Sequence, residues 1–69
     1  MEVRAPMAGR IIDVVVEPGA TVEADDDLVV VESMKMEIPI GSPQAGAVAA
    51  IHVAVGDTVN EGDLLVTLA

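Results

Sequence analysis

The chain has 69 residues, with 12 acidic and 3 basic side chains, so its formal net charge is −9. This length holds one small domain with a thin core and little room for a substrate pocket, so a self-sufficient enzyme is not expected. Cysteine and all three aromatic residues are absent, which excludes disulfides and the stacking of side chains on nucleobases. The negative charge also opposes contact with phosphate backbones, so nucleic acid is not an expected partner.

Apolar residues are frequent but never form a long run. The longest unbroken run, Ala47–Ile51, is far shorter than the roughly 20 residues of a membrane-spanning helix. The N-terminus shows no basic start followed by an apolar stretch and a cleavage site. We therefore expect no membrane partner, a cytoplasmic location and, because of the high charge, a monomer in isolation.

Short apolar segments separated by Gly, Pro and Asp predict an all-β fold without helices. The predicted strands are, in chain order, Glu2–Ala5, Gly9–Val16, Leu28–Ser33, Met36–Ile40, Gly46–Val53 and Leu64–Leu68. Two further short pairings are predicted near Thr21-Val22 and Thr58-Val59.

The chain also repeats itself without a gap after a shift of 37 residues, which superimposes PMAG on PQAG, EPGATV on AVGDTV, and DLV on LLV in matching positions. The first copy covers about residues 3–32 and the second about 40–69, joined by the hairpin 33–39. Gly19, Gly56 and Gly62 are the predicted turn glycines, since glycine adopts a positive φ readily. Neither copy has enough strands to fold alone, so the two are expected to pack around a pseudo-twofold axis as one domain, 1–69. Such an axis places the hairpin at one end and both termini near the other.

The joining hairpin has an unusual composition for a tight turn. Its centre is Met34-Lys35, whereas two-residue hairpins prefer Asn-Gly, Asp-Gly or Gly-Gly. Lys35 is the only lysine in the chain, and Met34 and Met36 flank it. Glu32 and Glu37 are expected to face each other, with the Lys35 ammonium offsetting their repulsion. A solvated lysine and a core-filling methionine pair would account for the same residues, so composition and spacing leave both interpretations open.

The segment ESMKMEIP resembles the attachment motif of biotinyl domains, the biotin carboxyl carrier modules of biotin-dependent carboxylases. The flanking segments APMAGRIIDVVVEPGATV and AGAVAAIHVAVGDTVNEGDLL look like the two halves of that family. The resemblance implies a flattened antiparallel β-barrel, a barrel-sandwich hybrid of two four-stranded sheets with pseudo-twofold symmetry. It also covers essentially the whole chain and shows no sign of the protruding thumb that some carriers have.

The resemblance implies that Lys35 carries biotin in amide linkage. It further implies that a biotin protein ligase and the partner enzymes recognise Met34, Met36, Glu32 and Glu37. The chain is then a non-catalytic carrier that shuttles carboxybiotin between a biotin carboxylase and a carboxyltransferase. Two departures are visible: Ser33 stands where Ala is commoner, and Asp25 stands where many members have a turn glycine.

Two alternatives remain. Lipoyl domains of 2-oxoacid dehydrogenase-type complexes share this fold and modify a hairpin lysine, but they usually flank it with Asp and Ala. An unmodified lipoyl-like β-module used for assembly has no reason to expose Met-Lys-Met.

Other polar residues have structural interpretations. His52 is the only histidine and lies in a predicted strand, which favours a structural role over metal binding. The run Asp25–Asp27 lacks the alternating ligand spacing of a calcium loop and fits a solvated turn. Arg4 and Arg10 are expected to be surface charges.

Overall fold

The computed structural model describes residues 1–69, which fold into eight strands and no helix. In chain order the strands are β1 (Glu2–Arg4), β2 (Gly9–Val14), β3 (Thr21–Val22), β4 (Asp27–Ser33), β5 (Met36–Gly41), β6 (Gly46–Ile51), β7 (Thr58–Val59) and β8 (Leu64–Leu68). They form two four-stranded antiparallel sheets, ordered β1-β8-β6-β3 and β5-β4-β2-β7. The prediction of an all-β fold with two such sheets is therefore confirmed. A helix able to cross a lipid bilayer is not found in this structure.

The core is shared evenly between the two halves of the chain. Of the 14 buried residues, 13 are apolar, and each has a buried counterpart 37 positions away. The seven pairs are Val3/Ile40, Ala5/Ser42, Ile11/Val48, Val22/Val59, Leu28/Leu65, Val29/Val66 and Val31/Leu68. Because the two sheets show the same strand order under this shift, an approximate twofold rotation relates them.

Backbone hydrogen bonds between the two halves also occur in pairs related by the shift of 37 residues. The Ala5 N–H donates to Asp63 O, and the Ser42 N–H donates to Asp26 O, both at 2.8 Å. The buried Ser42 hydroxyl is also satisfied, since it donates to the Gln44 carbonyl at 2.6 Å. Each half thus supplies carbonyl acceptors for backbone N–H groups of the other half. These bonds matter because a buried N–H group without a partner is strongly disfavoured.

Some strand ends differ from the predictions. The strands predicted to reach Val16 and Val53 end at Val14 and Ile51. The register shifts within β2, between Ile11 and Asp13, and within β6, between Val48 and Ala50, and such irregularities bend a strand and increase its local twist. Smaller differences occur where β1 stops at Arg4 and where β4 and β5 each gain one residue through an Asp27–Gly41 pairing.

Both termini lie far from the turn that joins β4 and β5. The open end of this hairpin is Gly41. Five residues later, β6 begins at Gly46, and the next residue, Ala47, accepts a hydrogen bond from the Ala69 N–H at 2.8 Å. The N-terminal ammonium of Met1 donates to Leu68 O at 2.6 Å, which ties the two ends of the chain together. The molecule measures 30 × 18 × 18 Å. The turn closes the β4–β5 hairpin at the end opposite to the Asp27–Gly41 pair.

Candidate functional site

The β4–β5 turn is formed by two residues in a strained conformation. Ser33 and Met36 make the last cross-strand pair, and Met34 and Lys35 between them have φ of 52° and 65°. Positive φ at both central residues is the geometry of a type I′ turn, whose twist matches that of the strands. Residues with a Cβ lose roughly 1–2 kcal/mol each in this region. Of the three residues other than glycine with positive φ in this chain, two lie here.

The side chains of the turn are directed into solvent. Met34 is 93% exposed, Met36 is 64% exposed, and Lys35 is also exposed. By contrast, Met7 is partly buried and packs against the core. The core-filling interpretation of the methionine pair is therefore wrong. We call residues 33–36 the tip.

Lys35 has no ion-pair partner in the folded chain. The one ion pair joins Arg4 Nη2 to Glu2 Oε1 at 2.7 Å, and no hydrogen bond involves the Lys35 side chain. The expectation that the Lys35 ammonium offsets a Glu32–Glu37 repulsion finds no contact to support it. Lys35 lies in the turn beyond the Ser33–Met36 pair, one register step further along the hairpin than the Glu32–Glu37 pair. The Lys35 side chain is therefore exposed and unpaired.

Charged residues form a row across the sheet next to the tip. Glu32 on β4 has Glu37 on β5 as one register partner and Arg10 on β2 as the other. All three are exposed. Since adjacent strands lie about 4.8 Å apart, Arg10 is the cationic neighbour of the glutamate pair. The sequence suggested only a surface charge at Arg10, and pairing Gly9–Val16 with Leu28–Ser33 in register would have located it.

Gly9 fixes β2 against the strand that leads to the tip, a role the sequence analysis missed. A Cβ at Gly9 would lie 2.5 Å from Val31 Cγ1 and 2.6 Å from Glu32 O. No side chain larger than hydrogen fits there without displacing β4. The counterpart Gly46 is looser, with its nearest neighbour, Ala69 O, at 3.7 Å. The repeated glycine was visible in the sequence, but the difference between its two copies was not.

The turn glycines take the conformations expected of them. Gly19, Gly56 and Gly62 have φ of 90°, 98° and 89°. Asp25 adopts a φ of 71° at the position that corresponds to Gly62. The departure from glycine at Asp25 therefore leaves the turn itself intact.

The other polar candidates stabilise local structure. His52 is exposed just after β6, and its Nε2 lies 2.9 Å from Thr67 Oγ1. The Asp26 carboxylate accepts a hydrogen bond from the Glu23 N–H at 2.9 Å, which closes a turn. Three His, Asp or Glu side chains never come together in a way that could hold a metal ion.

The tip contains no pocket. The surface has one open groove of about 550 Å³, and its lining residues are Val15, Val16, Glu17, Ala20, Thr21, Val22, Asp26 and Asp27. None of the tip residues lines it. The tip can present a group to a partner but cannot enclose one.

Several named proteins have amino-acid sequences similar to that of this chain. A protein from Mycobacterium leprae, named biotinylated protein TB7.3 homolog, is 41% identical over 99% of this chain and 96% of its own length. The biotin carboxyl carrier protein of Streptococcus mutans is 51% identical over 94% of this chain. A dihydrolipoyllysine-residue acetyltransferase component of the pyruvate dehydrogenase complex, from Pseudomonas aeruginosa, is 47% identical over 87% of this chain. The chain spans only 50% and 11% of these last two proteins.

Solved structures show the same architecture. The urea carboxylase of Kluyveromyces lactis matches with a TM-score of 0.95 and 32% identity over 100% of this chain and 6% of its own. The lipoyl domain of the 2-oxoglutarate dehydrogenase complex of Azotobacter vinelandii matches with a TM-score of 0.83 and 28% identity, over 100% of this chain and 95% of its own.

The family model described as "Biotin-requiring enzyme" matches residues 1–68, nearly the whole chain. The two sheets and the match over the full domain lead to one conclusion: this chain belongs to the biotin/lipoyl attachment family.

Proposed function

We propose that this chain is a biotin carrier domain, in which residues 1–69 act as one unit and Lys35 holds biotin through an amide bond. One observation carries the proposal. The sole lysine of the chain lies at a strained, exposed turn between two exposed methionines, and its side chain makes no hydrogen bond or ion pair. Backbone strain at this turn brings no structural benefit if Lys35 is only a solvated surface charge. Strain of this kind clusters at functional sites.

The residues of the tip fit an amide-linked cofactor. Amide formation needs the neutral amine of Lys35 as nucleophile and a carboxyl group activated by a leaving group, such as an adenylate. A new C–N bond forms while the acyl C–O bond to the phosphate breaks, and AMP leaves. The ligase has to assist removal of the Lys35 proton, because no acceptor in the free chain hydrogen-bonds to this amine. Biotin, when bound, supplies a ring nitrogen that carries a carboxyl group between the sites of a biotin carboxylase and a carboxyltransferase.

The methionines supply contact with the partners. Thioether side chains are flexible and polarisable, so the same pair can pack against differently shaped surfaces. The lack of a pocket at the tip fits a carrier that contributes no catalytic group and binds its partners weakly. Weak binding suits a domain that must leave one active site for another, since tethering keeps the local concentration on the order of mM.

The position of the termini supports delivery. Any longer chain would be attached at the end of the β4–β5 hairpin remote from Lys35. The lysine therefore points away from the attachment point, and the 30 Å length of the domain adds to the reach of the cofactor.

A lipoyl carrier is the second candidate. The acetyltransferase relative and the lipoyl-domain structure both favour it, because their identities to this chain resemble those of the biotin-linked matches. The exposed Met34 and Met36 favour biotin, since lipoyl domains usually flank the lysine with Asp and Ala. An unmodified β-module used for assembly would leave these exposed side chains without a purpose.

The test is the intact mass of the chain after loading. The purified chain is incubated with ATP and either a biotin protein ligase and biotin or a lipoate protein ligase and lipoate. We expect one biotin per chain and no lipoyl adduct. The Lys35→Arg variant should show neither adduct while retaining the β-sheet circular dichroism of the parent. A lipoyl adduct alone, or an unchanged mass with both ligases, would contradict the proposal.

A further inference from the structure

We propose that the thioethers of Met34 and Met36 form a reversible oxidation site, where a peroxide produces methionine sulfoxide and thereby blocks loading of the tip. The proposal rests on the function proposed above in one respect, because it takes loading of Lys35 as the process that oxidation blocks. The oxidation itself depends only on the exposure of the two side chains.

The sulfurs of Met34 and Met36 are more accessible to solvent than the sulfur of Met7. Met34 and Met36 are 93% and 64% exposed, whereas Met7 packs against the core. The chain contains no cysteine, so no thiol competes for the oxidant. Oxidants reach exposed thioethers first, which makes the tip the expected point of attack within the folded chain. Met1 is also exposed, but it lies with the termini, away from the tip.

The chemistry is a two-electron oxygen transfer. A lone pair on the methionine sulfur attacks one oxygen of hydrogen peroxide, the S–O bond forms, and the O–O bond breaks. The second oxygen leaves as water after taking up the displaced proton. Sulfur is oxidised and the peroxide is reduced. A methionine sulfoxide reductase reverses the change with electrons from a dithiol, which becomes a disulfide while the oxygen leaves as water.

The structural consequence is confined to the tip. A sulfoxide is polar and strongly hydrated, so it loses the apolar contact that a thioether makes with a partner. It also adds an oxygen with a partial negative charge to a tip that adjoins the exposed residues Glu32 and Glu37. Neither methionine belongs to the core, so the fold does not depend on their reduced state. Oxidation of Met7, by contrast, would introduce a polar group against the core and reduce stability.

The first experiment maps oxidation in the unmodified chain. The chain is treated with hydrogen peroxide, and the added oxygen at each methionine is followed by peptide mass spectrometry over time. Met34 and Met36 should gain oxygen several-fold faster than Met7. Equal rates at all three residues would overturn the assignment of the site.

The second experiment measures loading in the Met7→Leu variant, which removes the core-contacting thioether with little change in volume. The initial rate of biotin addition is measured with a biotin protein ligase before and after peroxide treatment. We expect at least about a tenfold decrease, as loss of one buried methionine contact implies. Treatment with both methionine sulfoxide reductases should restore the rate, and circular dichroism should stay constant throughout.

Each outcome has a separate meaning. An undiminished loading rate in the oxidised chain would show that oxidation does not block the tip. A loss that the reductases leave in place would contradict reversibility. Failure of the untreated chain to load would contradict the proposed function, and the block would fall with it, whereas the oxidation map would still decide whether the tip is the oxidised site.

Discussion

Asp25 and Gly62 occupy equivalent positions 37 residues apart, and both adopt a positive φ, 71° and 89° respectively. The carbonyl of Ser42 accepts from Asp25 N–H as the carbonyl of Ala5 accepts from Gly62 N–H, each at 2.8 Å. The same turn therefore occurs twice in the molecule, once with Asp and once with Gly at the residue with positive φ. This provides a matched pair for measuring what a left-handed conformation costs a residue with a side chain.

The Asp25→Gly substitution should raise the free energy of unfolding by about 0.5 kcal/mol. Relief of left-handed strain outweighs the extra freedom that glycine gives the unfolded chain. The Asp25 side chain makes no hydrogen bond that would be lost. Urea unfolding followed by circular dichroism measures the change.

The matched substitution is Gly62→Asp, which should lower stability by about 1 kcal/mol. No atom lies within 4 Å of the position of its Cβ, so the loss would come from backbone strain rather than from a clash. Equal stability of both variants and the parent would contradict this account of the turn.

Gly9→Ala should destabilise the domain by about 2 kcal/mol, because the new methyl group overlaps Val31 and the Glu32 carbonyl. Gly46→Ala, its counterpart in the second half, should change stability by less than about 0.5 kcal/mol, since its surroundings allow ordinary contact. Thermal and urea unfolding of the pair give the comparison. Similar losses at both positions would show that β2 does not press on β4 as described.

Glu37→Gln should raise the free energy of unfolding by about 0.5 kcal/mol at low salt, because it removes a like charge directly opposite Glu32. High salt screens the repulsion, so the gain should shrink as ionic strength rises. Loading of Lys35 removes a positive charge and takes the formal net charge from −9 to −10. The gain should therefore be larger in the loaded chain, and a gain that grows with salt would contradict the electrostatic cause.

Met34→Gly should stabilise the fold by about 0.5 kcal/mol and reduce biotin loading, since it removes both the strain at φ 52° and a proposed recognition side chain. Met36→Gly is the control, because Met36 lies in β5, where glycine weakens a strand. This variant should lose stability. If Met34→Gly gains stability, Met36→Gly loses stability and both load less biotin, the loss of loading does not come from the change in stability. Unimpaired loading of Met34→Gly would contradict the role of Met34 in recognition.

The sequence predicted the fold well because its signals are local and repeated. Apolar residues recur at the same positions in both copies, and six such pairs build the core together with the Ala5/Ser42 pair. The strand ends at Val14 and Ile51 were not predicted, because a register irregularity depends on how two strands twist together rather than on either strand alone.

The geometry of the tip was predicted in part. The turn at Met34-Lys35 follows from the position of the hairpin between the two copies, and a two-residue hairpin turn requires a positive φ at both residues. The tight packing at Gly9 and the position of Arg10 beside Glu32 require the register of β2 on β4. The sequence did not predict that Lys35 lacks an ion pair, because its spacing from Glu32 and Glu37 suggests that the ammonium lies near both carboxylates.

The location of the cofactor tests the central claim most directly. The chain has two primary amines, the Lys35 side chain and the Met1 α-amine, and the second is engaged with the Leu68 carbonyl. Tandem mass spectrometry of peptides from the ligase-treated chain distinguishes them. We predict biotin on Lys35 in every loaded molecule and none on Met1, whereas biotin at the N-terminus, or a chain that stays bare at Lys35, would contradict the account.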